Sequence, residues 1–204
     1  MTEEQLASRL IKYLPASTET DIARWIIFHR VHFRITLPRN SKYGDYRHPY
    51  QGKGHVITVN GDLNSWAFFI TAVHEFAHLH TWEKYQNKVA PHGKEWKESF
   101  NSLMKPFILK KIFPEELEKA VIAYLKNPAA GTCVDANLLS ALRKYDTEIN
   151  PFLEELMEGS CFRLNNKTFV KGAKKRSRYV CKDLHSGNEY LISATAEVEP
   201  AELF

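Results

Sequence analysis

Leu6, Leu10, Ile11 and Leu14 fall on one helical stripe, which predicts an amphipathic helix over 3–14; 18–29 reads as a second helix, capped by Thr18 or Thr20. The period then shortens. VHFRIT (31–36) and HVITVN (55–60) alternate apolar and polar residues and predict half-buried strands. The aromatic, turn-rich stretch SKYGDYRHPYQGKG (41–54) between them reads as a loop or short hairpin. Asp62 or Asn64 can cap a long helix of about 65–85. Its apolar stripe of Trp66, Ile70, Val73 and Ala77, flanked by Phe69 and Phe76, should anchor it in the core. Pro91-His92-Gly93 breaks the chain, and KEWKESFNSLMKPFIL restarts a helix that ends near Pro106. Pro114 suits the first position of a further helix with Glu115 and Glu116 in its first turn; 127–132 reads as a loop and 134–145 as one more helix. After 157–160 the segments CFRL, TFVKG, SRYVCK and EYLIS alternate, with turns at Asn165-Asn166 and Ser186-Gly187, which predicts a small antiparallel β unit.

Four of the nine histidines lie in residues 74–92. His74 and His78 are one helical turn apart, so their imidazoles stand side by side and can chelate one ion. The run His74-Glu75-Phe76-Ala77-His78 has the order H-E-x-x-H, in which the glutamate binds no metal but takes a proton from activated water. Zinc brings the pKa of such a water toward neutrality, within reach of a carboxylate base. The motif sits within an apolar helix, where unpaired imidazoles are costly. His80 points off the His74/His78 stripe and reads as a packing or surface residue.

A catalytic zinc needs three protein ligands and one open position. His92, fourteen residues after His78, can return to the helix through the break at Pro91-Gly93; Glu95 and Glu98 are alternative third ligands.

Composition narrows the class. A chain of 204 residues with 44% hydrophobic and 25% charged residues suits one medium domain with or without a small appendage. No apolar run has the length of a membrane span, and the N-terminus lacks the features of a signal peptide, so the expected compartment is the cytoplasm, with no membrane partner. Cys133, Cys161 and Cys181 form no C-x-x-C pair, which argues against a disulfide framework or zinc ribbon. Net charge is +4, yet eight basic and no acidic residues fall between Arg163 and Lys182, so the rest carries −4. Lys171, Lys174, Lys175, Arg176, Arg178 and Lys182 are therefore candidates for a polyanion contact, with Phe162, Phe169, Tyr179 and Tyr190 interleaved for base stacking on DNA.

HEFAH followed by HGKEW resembles the SprT-like metallopeptidases, the family that includes Spartan. The resemblance implies zinc on His74, His78 and His92 and a catalytic base at Glu75. ITVNGDLN is similar to the family's strand and helix start before the motif, and the tail from Gly159 resembles its C-terminal β segment. The tail departs from the family pattern in lacking a four-cysteine ribbon, so one zinc per chain is expected. The implied fold is α+β: a zincin-like helix bundle with a small antiparallel sheet over 1–156, then a small basic antiparallel β unit over 157–204. By analogy HVITV is the edge strand that receives an extended peptide, and Tyr43, Tyr46, His48 and Tyr50 could wall the cleft, a tyrosine among them facing the oxyanion. The resulting expectation is a zinc endopeptidase acting on a protein or peptide, including proteins bound or crosslinked to DNA. The rival readings are a nucleic-acid-binding, transcription- or stress-associated zinc protein without proteolysis, and a zinc hydrolase of another kind.

Overall fold

The computed structural model describes residues 1–39, 42–129, 135–147 and 150–201. Cys133 lies outside them. The chain is α+β and divides into two compact units, Met1–Thr147 and Glu148–Phe204.

The first unit holds six α-helices among the described residues: α1 (Glu3–Leu10), α2 (Glu19–Phe28), α3 (Ser65–Tyr85), α4 (Lys94–Leu109), α5 (Glu115–Leu125) and α6 (Ala136–Arg143). Thr2 and Gln5 cap α1 reciprocally, Asn64 accepts from the Ala67 amide to start α3, and Asp135 does the same for Leu138 in α6. α4 runs through Pro106 to Leu109. The missing amide falls in the last turn, where Lys110 still closes on the Pro106 carbonyl at 3.0 Å.

Three strands, β1 (His32–Thr36), β2 (Gly44–Arg47) and β3 (Val56–Asn60), form a sheet in the order β1-β3-β2. β1 runs parallel to β3 and β2 antiparallel to it, so this sheet is mixed rather than antiparallel. The order also corrects the assignment of the edge: HVITV is the central strand, paired on both sides, and β2, from within the turn-rich stretch, is an outer one. β3 shows why in its burial, with Ile57, Thr58, Val59 and Asn60 all buried. Every residue of α3 from 67 to 77 is buried, which makes α3 the central rod of the unit. Phe68, Phe69, Phe76 and Leu79 pack with Ile22, Ile57, Trp96, Phe100, Met104 and Phe107 around it. Among the described residues no helix is long and apolar enough to cross a membrane.

The second unit is an antiparallel sheet of β4 (Cys161–Leu164), β5 (Lys167–Lys175), β6 (Arg178–Asp183), β7 (Glu189–Ser193) and β8 (Glu199–Ala201), in the order β7-β6-β5-β4-β8. Leu153, Phe162, Phe169, Cys181 and Val198 form its core. Cys161 and Cys181 are free thiols. The division at 147/148 lies before the expected 156/157 because residues 151–156 bond to the tail. Leu153 and Glu154 donate their amides to Ala196 and Ala194 at 2.8 and 2.9 Å, and the Val198 amide returns to Pro151 at 3.0 Å.

Candidate metal centre

Helical spacing on α3 sets His74 and His78 side by side, their Nε2 atoms 3.3 Å apart. His92 closes the set from the turn before α4, with its Nε2 3.2 Å from that of His74. Pro91-His92-Gly93 makes this reach possible through a left-handed backbone at His92, φ 58°. Trp96, one turn into α4, packs against all three rings at centroid distances of 4.6, 5.3 and 4.7 Å and stacks in turn on Phe100. In the sequence Trp96 is marked only as the aromatic of HGKEW. Its place as the shared support follows from α4 starting at Lys94, directly after the turn that carries His92.

Burial, followed by the charge each imidazolium would impose on its neighbours, pushes His74 down to about 2 and His78 down to about 3. Burial alone lowers His92. All three are therefore neutral near pH 7 and present lone pairs rather than charges. The Nδ1 of His74 is buried without a hydrogen-bond partner, so packing by Trp96 and Phe100 holds that ring. A tetrahedral zinc with bonds of about 2.0–2.1 Å sets its nitrogens about 3.3 Å apart, which the observed 3.2 and 3.3 Å match. The cluster can hold a metal ion. Among the described residues it is also the only trio of His, Cys, Asp or Glu whose ligand atoms all lie within 4.8 Å of one another. Of the alternative third ligands, Glu98 is exposed and lies 3.9 Å from the Lys94 ammonium, and Glu95 sits beside Gly93; neither joins the trio. His80 is also outside it, with its ring 5.1 Å from that of His29.

Glu75 is only 5% exposed and lies under β2. Gly44 makes that possible: a Cβ there would fall 2.5 Å from a Glu75 carboxylate oxygen and 2.7 Å from the Thr71 methyl. Burial first, then the nearby Asp45 charge, raises the Glu75 carboxyl to about 8, against the opposing pull of Lys42, Arg39 and a hydrogen bond from the Tyr46 amide. The same strand lays the Tyr46 ring parallel to His78, with centroids 6.3 Å apart and planes within 1°. Of the other aromatics of this stretch, His48 stacks on Trp82 and Tyr50 is exposed.

The basic residues of the second unit separate into two groups. Lys171 is buried, 4% exposed, with its Nζ donating to the Leu156 and Glu154 carbonyls and resting 3.9 Å over the Tyr179 ring. It pins the 153–156 turn to the sheet and is removed from the nucleic-acid candidates. Lys174 is exposed but leans on Glu154 at 3.7 Å. Lys175, Arg176, Arg178 and Lys182 are exposed. Register places Arg178 and Lys182 with Val180 on the face opposite Tyr179 and Cys181. The sheet buries Phe162 and Phe169 in its core, so these two offer no surface for base stacking.

Comparison of the chain with protein-family models, with curated proteins and with solved structures finds no match.

Proposed function

We propose that this protein is a zinc-dependent endopeptidase of the SprT-like kind, with the metal held by His74, His78 and His92 and with Glu75 as general base. The observation that carries the reading is the convergence of three neutral imidazoles, with His74 Nε2 3.3 and 3.2 Å from those of His78 and His92, beside a buried carboxylate. A bound zinc supplies Lewis acidity and a water of near-neutral pKa. With the ion bound, Glu75 would accept a proton from the attacking water and hand it on to the departing amine. A buried carboxyl with affinity for protons near neutrality suits both halves of that transfer.

The peptide enters along β2. The Asn60 amide bonds to the Tyr43 carbonyl, so the alternation of an antiparallel ladder turns the main-chain groups of Asp45 and Arg47 toward β3 and those of Gly44 and Tyr46 outward. Gly44 lies against the Glu75 carboxylate, so a chain added to this edge passes close to the base.

Elemental analysis and peptide cleavage test the reading together. Purified protein is expected to carry one zinc per chain and to cleave an unfolded protein substrate, and His92→Ala is expected to lose both. Full zinc occupancy in His92→Ala, or two zinc ions per chain, overturns the ligand set.

Nucleic acid is the second partner in this reading, supported by the exposed Lys175, Arg176, Arg178 and Lys182. With Phe162 and Phe169 buried, the contact is chiefly to phosphates, and the exposed Tyr190 is left as a stacking surface. Four phosphate contacts give a slope of log K against log salt of about −3 on single strands and about −4 on duplex. Reversing all four to Glu is expected to abolish DNA binding and any stimulation of cleavage by DNA, while zinc content stays unchanged. Binding that survives the reversal, or that ignores salt, removes the nucleic-acid link and leaves the peptidase reading standing.

A further inference from the structure

We infer that Tyr46 is a positioning residue of the metal centre, whose side chain backs the His78 ring and, by anchoring β2, seats the Glu75 carboxylate beneath that strand. The inference rests on the zinc and base roles proposed above. Two contacts carry it. The phenol ring lies parallel to His78, and the hydroxyl is 2.9 Å from Nδ1 of His55 at the entry to β3. On the same strand Gly44 lies close over Glu75 and Thr71, so what holds β2 in place also seats the proposed base.

The hydroxyl anchor has direction. Burial, and then the nearby Glu83 charge, raises the Tyr46 phenol well above its ordinary value, so it stays protonated and donates. Burial lowers the His55 imidazole, so its Nδ1 accepts and its Nε2 carries the proton. That Nε2 faces Glu83 at 3.9 Å, an electrostatic approach rather than a hydrogen bond, and Glu83 is bonded to His29 Nδ1 at 2.9 Å. Trp82 closes against His55 edge-on at 5.3 Å. The His55 ring is thus held from behind by α2 and α3, and it fixes the far end of the Tyr46 side chain. A short outer strand is in this way tied across to the helix it covers.

The test is zinc affinity, measured by competition with a chromogenic chelator, on Tyr46→Phe, His55→Phe, the double variant and Tyr46→Leu. Residues that orient metal ligands cost about 10–100-fold in metal affinity when altered. Tyr46→Phe and His55→Phe cut the same bond, so each is expected to weaken zinc about 10-fold and the double variant no further. Tyr46→Leu, which also removes the ring beside His78, is expected to weaken it toward 100-fold. On cleavage, kcat falls with KM unchanged. Thermal unfolding of the metal-free proteins separates this from a merely structural role, which would lower the midpoint and leave zinc affinity alone. Wild-type protein that binds zinc with a Tyr46→Phe of equal affinity, or fully additive losses in the double variant, overturns the positioning role alone. Wild-type protein that holds no zinc overturns the metal reading and this inference with it.

Discussion

Glu75→Gln is expected to keep zinc and fold while losing about 10²–10⁴-fold in kcat, the usual worth of general-base assistance. The substitution changes almost no volume, which matters where Gly44 leaves no room for a larger group. The Gln side chain keeps the shape of the carboxylate and so its seat under β2. What it loses is the ability to take a proton. Zinc content by elemental analysis and cleavage by initial rates decide the matter. Undiminished cleavage by Glu75→Gln would assign the base elsewhere.

The second large effect concerns stability rather than rate. Metal-free protein is expected to be most stable near pH 6.5. Below that value the unfolded chain's imidazoles take up protons that folded His74 and His78, held near 2 and 3, refuse, so stability falls with acidification. Glu75 acts in the opposite sense. Its folded pKa near 8 exceeds the ordinary 4.5, so the folded state keeps a proton that the unfolded state has released, and stability drains away as pH rises from 4.5 to 8. Between 4.5 and 6.5 two imidazoles outweigh one carboxyl, for a net gain of about 1 kcal/mol per pH unit; from 6.5 to 8 the carboxyl alone removes about 2 kcal/mol. Zinc at a thousandfold over its dissociation constant adds about 4 kcal/mol. It also removes the alkaline decline by giving the carboxylate a cation to face. Urea midpoints against pH, with zinc and with chelator, test this. A metal-free midpoint that climbs steadily to pH 9 contradicts a carboxyl kept protonated by burial. Glu75→Gln without metal should hold its stability at pH 8, which ties the two experiments together.

Much of the site could be read from residues 64–96, since Asn64 is a cap, the apolar stripe repeats at 3.6 residues, and H-E-x-x-H and Pro-His-Gly each have a local geometric meaning. What could not be read there depends on neighbours in space. Alternation in HVITVN says that a strand exists, not that β1 and β2 flank it. β2 hides in a stretch whose glycine, proline and charges signal turns, because Gly44 is there for its close approach to Glu75 rather than for a bend. Lys171 shows the reverse. A run of positive charge suggests an exposed face, yet Lys171 stands two residues from Phe169 on a strand and shares its buried side. The irregularity between Lys171 and Lys174 then breaks that parity, which a count of charges cannot see. β8 has three residues, too few for any period to register.

The left-handed turn at His92 bears on how fast an ion can come and go. His74 belongs to the most buried stretch of the chain and the half-buried His78 follows directly after it; neither can step back without unwinding α3. His92 belongs to a turn whose backbone costs about 1–2 kcal/mol to hold in that region, less for histidine than for most residues. The ligand cage is therefore stiff on two sides and sprung on the third. Exchange of the ion with solvent chelators should proceed by recoil of residues 91–93, at a rate set by that turn and not by opening of the core, so substitutions that relax or stiffen the turn change the lifetime of the bound ion more than its final affinity.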